Sequence, residues 1–221
     1  MLPPADGRLS RLPPWFSRWL GYRRASPAPI PSYLVYFWSF IGAFCGLCVL
    51  QAIFNYSEYF KARNVPGIIA SYGASAVLVY GVPQAPLAQP RALIGGHFLS
   101  ALVGICVTKL FSLMPSETEF DSLRWLAASL STAIAIVVMQ ITETTHPPAG
   151  ATALLPAVDE DIWNLSWYFL PVVLLSSAMI LATGLLFNNF QRVYPVYWFA
   201  PAKPAKVEKQ APESPNSSIL P

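Results

Sequence analysis

Long apolar runs, separated by short stretches rich in charge and proline, dominate the pattern of this chain. No Asp, Glu, Lys or Arg occurs from residue 25 to 57, 64 to 90, 92 to 108, 125 to 142 or 162 to 191. A helix rises 1.5 Å per residue, so about 20 mostly apolar residues cover the roughly 30 Å of a bilayer's hydrocarbon. The pattern predicts long spans over about Tyr33–Phe54, Ala92–Leu113, Leu123–Ile141 and Trp167–Phe187. A shorter segment over about Pro66–Val82 carries Gly67, Gly73 and Gly81. A sixth, Pro147–Val158, lies between the last two long ones, and Pro156 is expected to limit any helix there to about nine residues, roughly 14 Å or half a bilayer. The expected fold is an all-α polytopic membrane protein of about six membrane segments: four to five long helices plus short Gly/Pro-broken ones.

Composition sharpens this picture. The chain is 54% hydrophobic and only 11% charged, against about 25% charged in soluble domains. Residues 1–32 form a Pro/Arg-rich tail in which Arg8, Arg11, Arg18, Arg23 and Arg24 face a single acid, Asp6. The positive-inside rule places that tail in the cytoplasm, and its arginines read as topogenic rather than as a nucleic-acid site. Trp15, Phe16, Trp19, Leu20 and Tyr22 suit a short interfacial segment. Such an arginine-rich, nearly acid-free stretch also suits a targeting peptide, although its prolines oppose the usual amphipathic helix. Residues 33–198 are the expected membrane domain, and residues 199–221 a disordered tail. Cys45 and Cys48 form a C-x-x-C within an apolar helix, with no second pair to complete a metal site, and read as filler.

Two topologies are open. If both short segments cross, six passes result, and each three-segment half is inverted relative to the other. Arg91, Arg192 and the N-terminal arginines then share one side, and Glu117, Glu119, Asp121, Asp159, Glu160 and Asp161 lie on the other. If both are re-entrant, four passes remain and the halves are parallel. Basic residues favour the first arrangement, with Lys61, Arg63 and Lys109 as exceptions. An internal echo fits the same division into a 3+3 inverted repeat: Gly73-Ala74-Ser75-Ala76-Val77-Leu78 resembles Gly150-Ala151-Thr152-Ala153-Leu154-Leu155. Short, broken segments at corresponding places in two halves mark the binding site of many transporters.

The densest chemistry surrounds Thr144-Thr145-His146-Pro147-Pro148-Ala149-Gly150-Ala151-Thr152. Two prolines suit a first helical turn, because neither gives up a hydrogen bond it would otherwise make. Thr145 or His146 is the expected N-cap. Amides behind the prolines, near Ala149 and Gly150, are expected to suit a small anion at the helix N-terminus, with the Thr152 hydroxyl one turn in. A capped turn with no ligand is the plainer alternative. Arg91 offers a fork of donors for an oxyanion, or serves as an interfacial anchor. Gly95 and Gly96 admit a close neighbour, and His97 is an ionisable group inside a span. Gly73 and Ser75, in the echoing segment, complete the expected binding set. Asn188 and Asn189 suit a cap for the last helix. The two histidines lie far apart in sequence and lack an H-E-x-x-H, so no metal site is expected, and no hydrolase elbow, P-loop or dinucleotide fingerprint points to catalysis or a cofactor.

The residues from Thr145 to Ala153 resemble the signature of the HPP family of integral membrane proteins. Gly73–Leu78, the Pro86–Arg91 stretch leading to Gly95-Gly96-His97, and Leu186-Phe187-Asn188-Asn189 fit the same family in order. Members are multi-pass proteins, and plant chloroplast members are associated with nitrite transport. Trp19-Leu20-Gly21-Tyr22-Arg23 and Phe40-Ile41-Gly42-Ala43-Phe44 look most like fungal members. The resemblance implies a small-anion transporter or channel, not an enzyme, whose partners are the bilayer and the anion; because 221 residues are few for a complete path, a homo-oligomer packed through small residues Gly42, Ala43, Gly46 and Gly95 is a further expectation. A non-transporting scaffold and an intramembrane acid–base enzyme using His146 and Glu143 are the rival readings.

Overall fold

The computed structural model describes residues 9–23 and 29–200; the tail expected to be disordered falls almost wholly outside them. Among the described residues all regular structure is helical. Six-residue α1 (Pro14–Trp19) precedes α2 (Ser32–Tyr56) and the single turn α3 (Glu58–Lys61). Then come α4 (Ser71–Ala76), continued by a π-turn over Val77–Gly81, and a second π-turn, Arg91–Gly95, that leads into α5 (Gly96–Phe111). The chain continues through α6 (Glu117–Ile141), α7 (Pro147–Val158), α8 (Glu160–Leu165) and α9 (Phe169–Asn188). Four runs are long and apolar enough to cross a bilayer: Ser32–Tyr56, Arg91–Phe111, Glu117–Ile141 and Glu160–Asn188.

Local chemistry sets several boundaries. The α6 helix begins before the expected Leu123 because Ser116 caps it, its side chain accepting from the Glu119 amide at 3.2 Å. Glu117 and Glu119 in that first turn complement the helix dipole. Two expectations are corrected. The second segment is not helical from Pro66; it becomes so only at Ser71. And α7 does not stop at Pro156 but runs 12 residues to Val158, about 18 Å. Pro156 withholds the amide that the Thr152 carbonyl would otherwise receive. The helix survives because this turn is packed: Pro156 is buried, and Ala157 sits against Ala127 and Ala128 of α6.

Side-chain contacts sort the connections onto two ends. At one end Phe120 meets Trp163 (5.4 Å), Lys109 lies over the Trp163 ring (5.3 Å) and Arg63 over Tyr168 (5.6 Å). At the other, Arg91 donates to the Thr142 carbonyl (2.6 Å), Arg192 to the Tyr80 carbonyl (2.8 Å), and Trp38 to Gln191 (2.6 Å). Six segments (α2, α4, α5, α6, α7, α9) therefore alternate in direction between the ends, α2–α4–α5 running opposite to α6–α7–α9. This is the inverted arrangement, although only four of the six are long enough to span alone. The acidic end carries the exceptions to the charge rule, and two of its cations are matched locally. Lys61 pairs with Glu58 and Arg124 with Asp121, each at 3.0 Å.

The core forms where α9 packs on α2 and α4. Phe169, Val172, Val173 and Ile180 meet Leu50, Phe54, Tyr72 and Ala76. Tyr36, Phe40 and Phe44 on α2, and Trp125 and Val137 on α6, remain exposed and form the apolar outer surface. Gly42 and Gly46 are not free for a second copy. The Tyr80 ring fills both, and a Cβ on Gly42 meets its Cδ1 at 2.8 Å. Gly95 is likewise taken up by Thr144, at 2.8 Å. These small residues serve packing within the chain.

Candidate functional site

The α4 and α7 helices meet near the centre of the molecule, and the side chains they turn toward each other are polar. Ser71 and Ser75, one turn apart on α4, share a face. The Ser71 Oγ lies 2.8 Å from Thr152 Oγ1 on α7. From α5, His97 bridges the two short helices: its Nδ1 lies 2.7 Å from Thr152 Oγ1 and its Nε2 2.7 Å from Ser75 Oγ. His146, the N-cap residue of α7, places its Nε2 2.9 Å from the same Ser75 Oγ and its Nδ1 2.7 Å from the Leu87 carbonyl. Ser75 thus sits between two imidazoles whose centroids are 5.0 Å apart. Ser75, His97, His146 and Thr152 are 0% exposed and Ser71 3%, so protein atoms rather than bulk water satisfy every one.

The frame around this cluster fixes the rings. Tyr72 stacks on His97 with centroids 4.3 Å apart and 21° between planes, and its hydroxyl donates to the Val173 carbonyl at 2.7 Å while also contacting Ser177. Gly96 is needed for the close approach of α5 to the loop before α7: a Cβ there meets the Thr144 carbonyl and His146 Cβ, each at 2.8 Å. Farther along α5, a Cβ on Gly104 meets the backbone of Ala153, lying 3.2 Å from its Cα. Both π-turns border the cluster, one starting two residues after Ser75 and the other ending two before His97. An added residue in a helical turn re-aims the side chains beside it.

Of the expected binding set, Ser75, His97, His146 and Thr152 converge and the rest do not. Pro147 is exposed, and neither it nor Pro148 has an amide to give. The Ala149 amide is already spent on the His146 carbonyl, at 2.8 Å. Of the amides expected to cradle an anion there, that of Ala149 is thus taken by the N-cap carbonyl, and the two prolines before it add none. The Gly150 carbonyl faces Thr132 of α6 at 3.4 Å, away from the cluster. Gly73 is half-buried with nothing within 4 Å of an added Cβ, so it presses on no ligand wall. Arg91 donates to the Thr142 and Phe199 carbonyls (2.6 and 3.0 Å) and pairs with Glu143 at 3.1 Å. That same pairing separates Glu143, exposed and at a φ of 54°, from buried His146, so the two do not form an acid–base couple. Asn189 caps α9 as expected, donating to the Leu185 carbonyl at 2.9 Å and also to the Tyr194 carbonyl. Asn188 instead holds the Val79 carbonyl, at 2.9 Å.

Sequence reasoning missed Ser71, Tyr72 and the Leu87 carbonyl. Ser71 and Ser75 do show helical spacing, which was the available signal. A cleft of about 280 Å³ opens at the arginine end, lined by Leu87, Arg91, Glu143, Thr145, Tyr197 and Phe199 among others. Leu87 belongs to both cleft and cluster, so His146 lies one residue behind the cleft wall. A larger cleft of about 600 Å³ sits at the acidic end between Ser112–Arg124 and Glu160–Asn164, away from the histidines. Among the described residues no group of three His, Cys, Asp or Glu is placed to hold a metal ion.

Comparison with known proteins agrees with the resemblance. The family model described as "HPP, transmembrane region" matches residues 28–195. A transmembrane protein of Dictyostelium discoideum is 41% identical over 189 residues, covering 84% of this chain and 63% of the relative. A second from the same organism is 35% identical over 189 residues, covering 84% and 57%. The chain thus spans less than two thirds of the length of these relatives. No solved structure matches.

Proposed function

This chain belongs to the HPP family of integral membrane proteins, and on that premise we propose that it is a multi-pass transporter or channel for a small anion, with nitrite the first substrate to try. The observation that carries the reading is the buried polar cluster where the two short, broken helices meet. Polar and ionisable groups inside a membrane protein are costly unless paired, and are kept where something polar must pass or bind. Broken helices at that depth occur where the backbone is sheltered by protein or lines a cavity. The anion approaches through the cleft at the arginine end, beside Arg91 and Thr145, rather than at the donor-poor N-terminus of α7. Positive-inside counting puts the arginine end in the cytoplasm.

The test is uptake of nitrite, nitrate, formate and chloride into proteoliposomes at two pH values, for wild type and His146→Ala at matched incorporation. Saturable flux that the variant loses supports transport; no flux above empty liposomes for any of the four rejects it. One observation favours a second reading, a non-transporting scaffold: Arg91 is held by the Thr142 and Phe199 carbonyls and by Glu143. In that case Arg91→Ala and His146→Ala lower abundance or assembly with no flux to lose.

A further inference from the structure

We propose that Ser71, Thr152, His97, Ser75 and His146 form a proton relay, polarised in one direction and ending at the cleft beside Arg91. Its direction follows from the Leu87 carbonyl, which can only accept. His146 Nδ1, 2.7 Å away, must therefore carry a hydrogen. In the neutral ring Nε2 is then an acceptor, and Ser75 donates its only proton to it across 2.9 Å in preference to the Ser71 carbonyl, which lies farther off at 3.3 Å. With that proton committed, Ser75 Oγ must accept at 2.7 Å from His97, so His97 carries its hydrogen on Nε2. His97 Nδ1 is then the acceptor, Thr152 donates to it at 2.7 Å, and Ser71 donates to Thr152 at 2.8 Å. One carbonyl orders the whole chain, and the two histidines are held in opposite tautomers.

An excess proton from water reaching Ser71 Oγ displaces the Ser71 proton to Thr152 Oγ1, and the Thr152 proton moves to His97 Nδ1. The His97 Nε2 proton passes to Ser75 Oγ and the Ser75 proton to His146 Nε2. At each hop one O–H or N–H bond breaks as the next forms, and the positive charge ends on His146. Its Nδ1 proton, held at the Leu87 carbonyl, passes to a water of the cleft when the ring turns from that oxygen, and the ring is neutral again. The starting order returns as the hydroxyls rotate and each imidazole, swung out of its bonds, gives the proton on one ring nitrogen to water and takes one from water on the other. Ser71 opens α4 next to exposed Ala70, on the side away from the cleft. The titratable and charged neighbours are few: Tyr72 stacks on His97 from α4, the two histidines face each other, and Arg91 with Glu143 stands at the cleft. Among the described residues no carboxylate is hydrogen-bonded to either imidazole.

Proton and anion then help each other. A cation on His146 and an anion in the adjoining cleft cancel in a low-dielectric interior, where each alone is expensive. This coupling rests on the transport reading; the relay itself does not. Two measurements on the full chain in lipid vesicles separate them. The chain has only two histidines, so ¹⁵N NMR of histidine-labelled protein resolves both rings. His146 is expected as the Nδ1–H tautomer and His97 as Nε2–H; the same tautomer in both, or the reverse pair, overturns the relay. Potassium-diffusion-driven acidification, read with a trapped pH dye, gives conduction. Thr152→Val, nearly isosteric, is expected to lose about tenfold or more of the wild-type proton flux, and Thr152→Ser to retain it. Wild-type flux no greater than that of empty vesicles, or equal flux in the Val variant, overturns the proposal. Proton flux without uptake of nitrite, nitrate, formate or chloride leaves the relay standing and removes the anion reading instead.

Discussion

The two three-helix halves share a frame and differ in what they place on it. Ser75 and Thr152 occupy equivalent positions of the echoing segments, and a single ring, His97, spans both hydroxyls. Four residues before the shared glycine the halves part: the second has His146, the first Ile69, which is buried in the apolar core. The short helix of the first half winds into a π-turn, whereas that of the second starts on two prolines and stays α-helical through a third. An inverted repeat thus supplies a symmetric pair of hydroxyls, and asymmetric substitution turns the pair into a directed chain. Pairing brings the groups together; the one carbonyl met by His146 sets the direction.

The comparison can be broken most severely where the halves touch most closely. Gly104→Ala pushes a Cβ into the Ala153 backbone, which cannot step aside as a side chain would. A loss of about 2–4 kcal/mol is expected, read as a lower unfolding temperature and poor monodispersity in detergent. Next is Ser75→Ala, which strips both imidazole Nε2 atoms of their shared partner. Each buried group left unsatisfied costs about 1–3 kcal/mol; Thr152→Val strands one ring nitrogen and the rotatable Ser71 hydroxyl, whereas Ser75→Ala strands two fixed ring nitrogens and should be the more destabilising in thermal unfolding. Equal losses would mean that the two hydroxyls are interchangeable and that Ser75 has no central place. At the arginine end, Arg192→Met removes the donations to the Tyr80 carbonyl and the Ser39 oxygen, which stay bonded to each other at 2.9 Å. A drop of about 1–2 kcal/mol is expected with the histidine tautomers unchanged. Smallest are Gly73→Ala and Gly150→Ala, whose added Cβ atoms meet nothing within 4 Å and only Thr132 Cγ2 at 3.8 Å. Both should be neutral or stabilising by up to about 1 kcal/mol. A large loss at either would restore it as a ligand-facing position.

The ends of the molecule repeat the lesson in electrostatics. At the acidic end Lys61 and Arg124 find carboxylates on their own helices, three residues away. At the arginine end Arg18, Arg23 and Arg192 find backbone oxygens instead, among them Phe190, Asn189 and Tyr80. The contacts of Arg18 and Arg23 place cations at the C-terminal end of α9, where the helix dipole favours them. The first kind of contact is local and legible from spacing. The second joins residues more than a hundred positions apart.

What the sequence determined by itself is whatever depends on neighbours along the chain. Apolar length marked the four spanning helices. Prolines and glycines marked the two short ones, and the Gly73/Gly150 echo marked their equivalence, because these are properties of one to two dozen consecutive residues. It also singled out His97, His146, Ser75 and Thr152, since polar atoms in apolar segments stand out. It misjudged the α7 N-terminus and the stop at Pro156. The Ala149 amide, expected to be free behind the prolines, closes the first turn on the His146 carbonyl, and packing on α6 carried the helix past its breaker. Only the tertiary structure decided that the two distant histidines meet at one serine, that Arg91 turns away to Thr142 and Glu143, and that Gly42 and Gly46 hold Tyr80 rather than a second chain. Hydrogen-bond partners are chosen by distances of about 3 Å, and such distances arise only once α4, α5 and α7 are packed together.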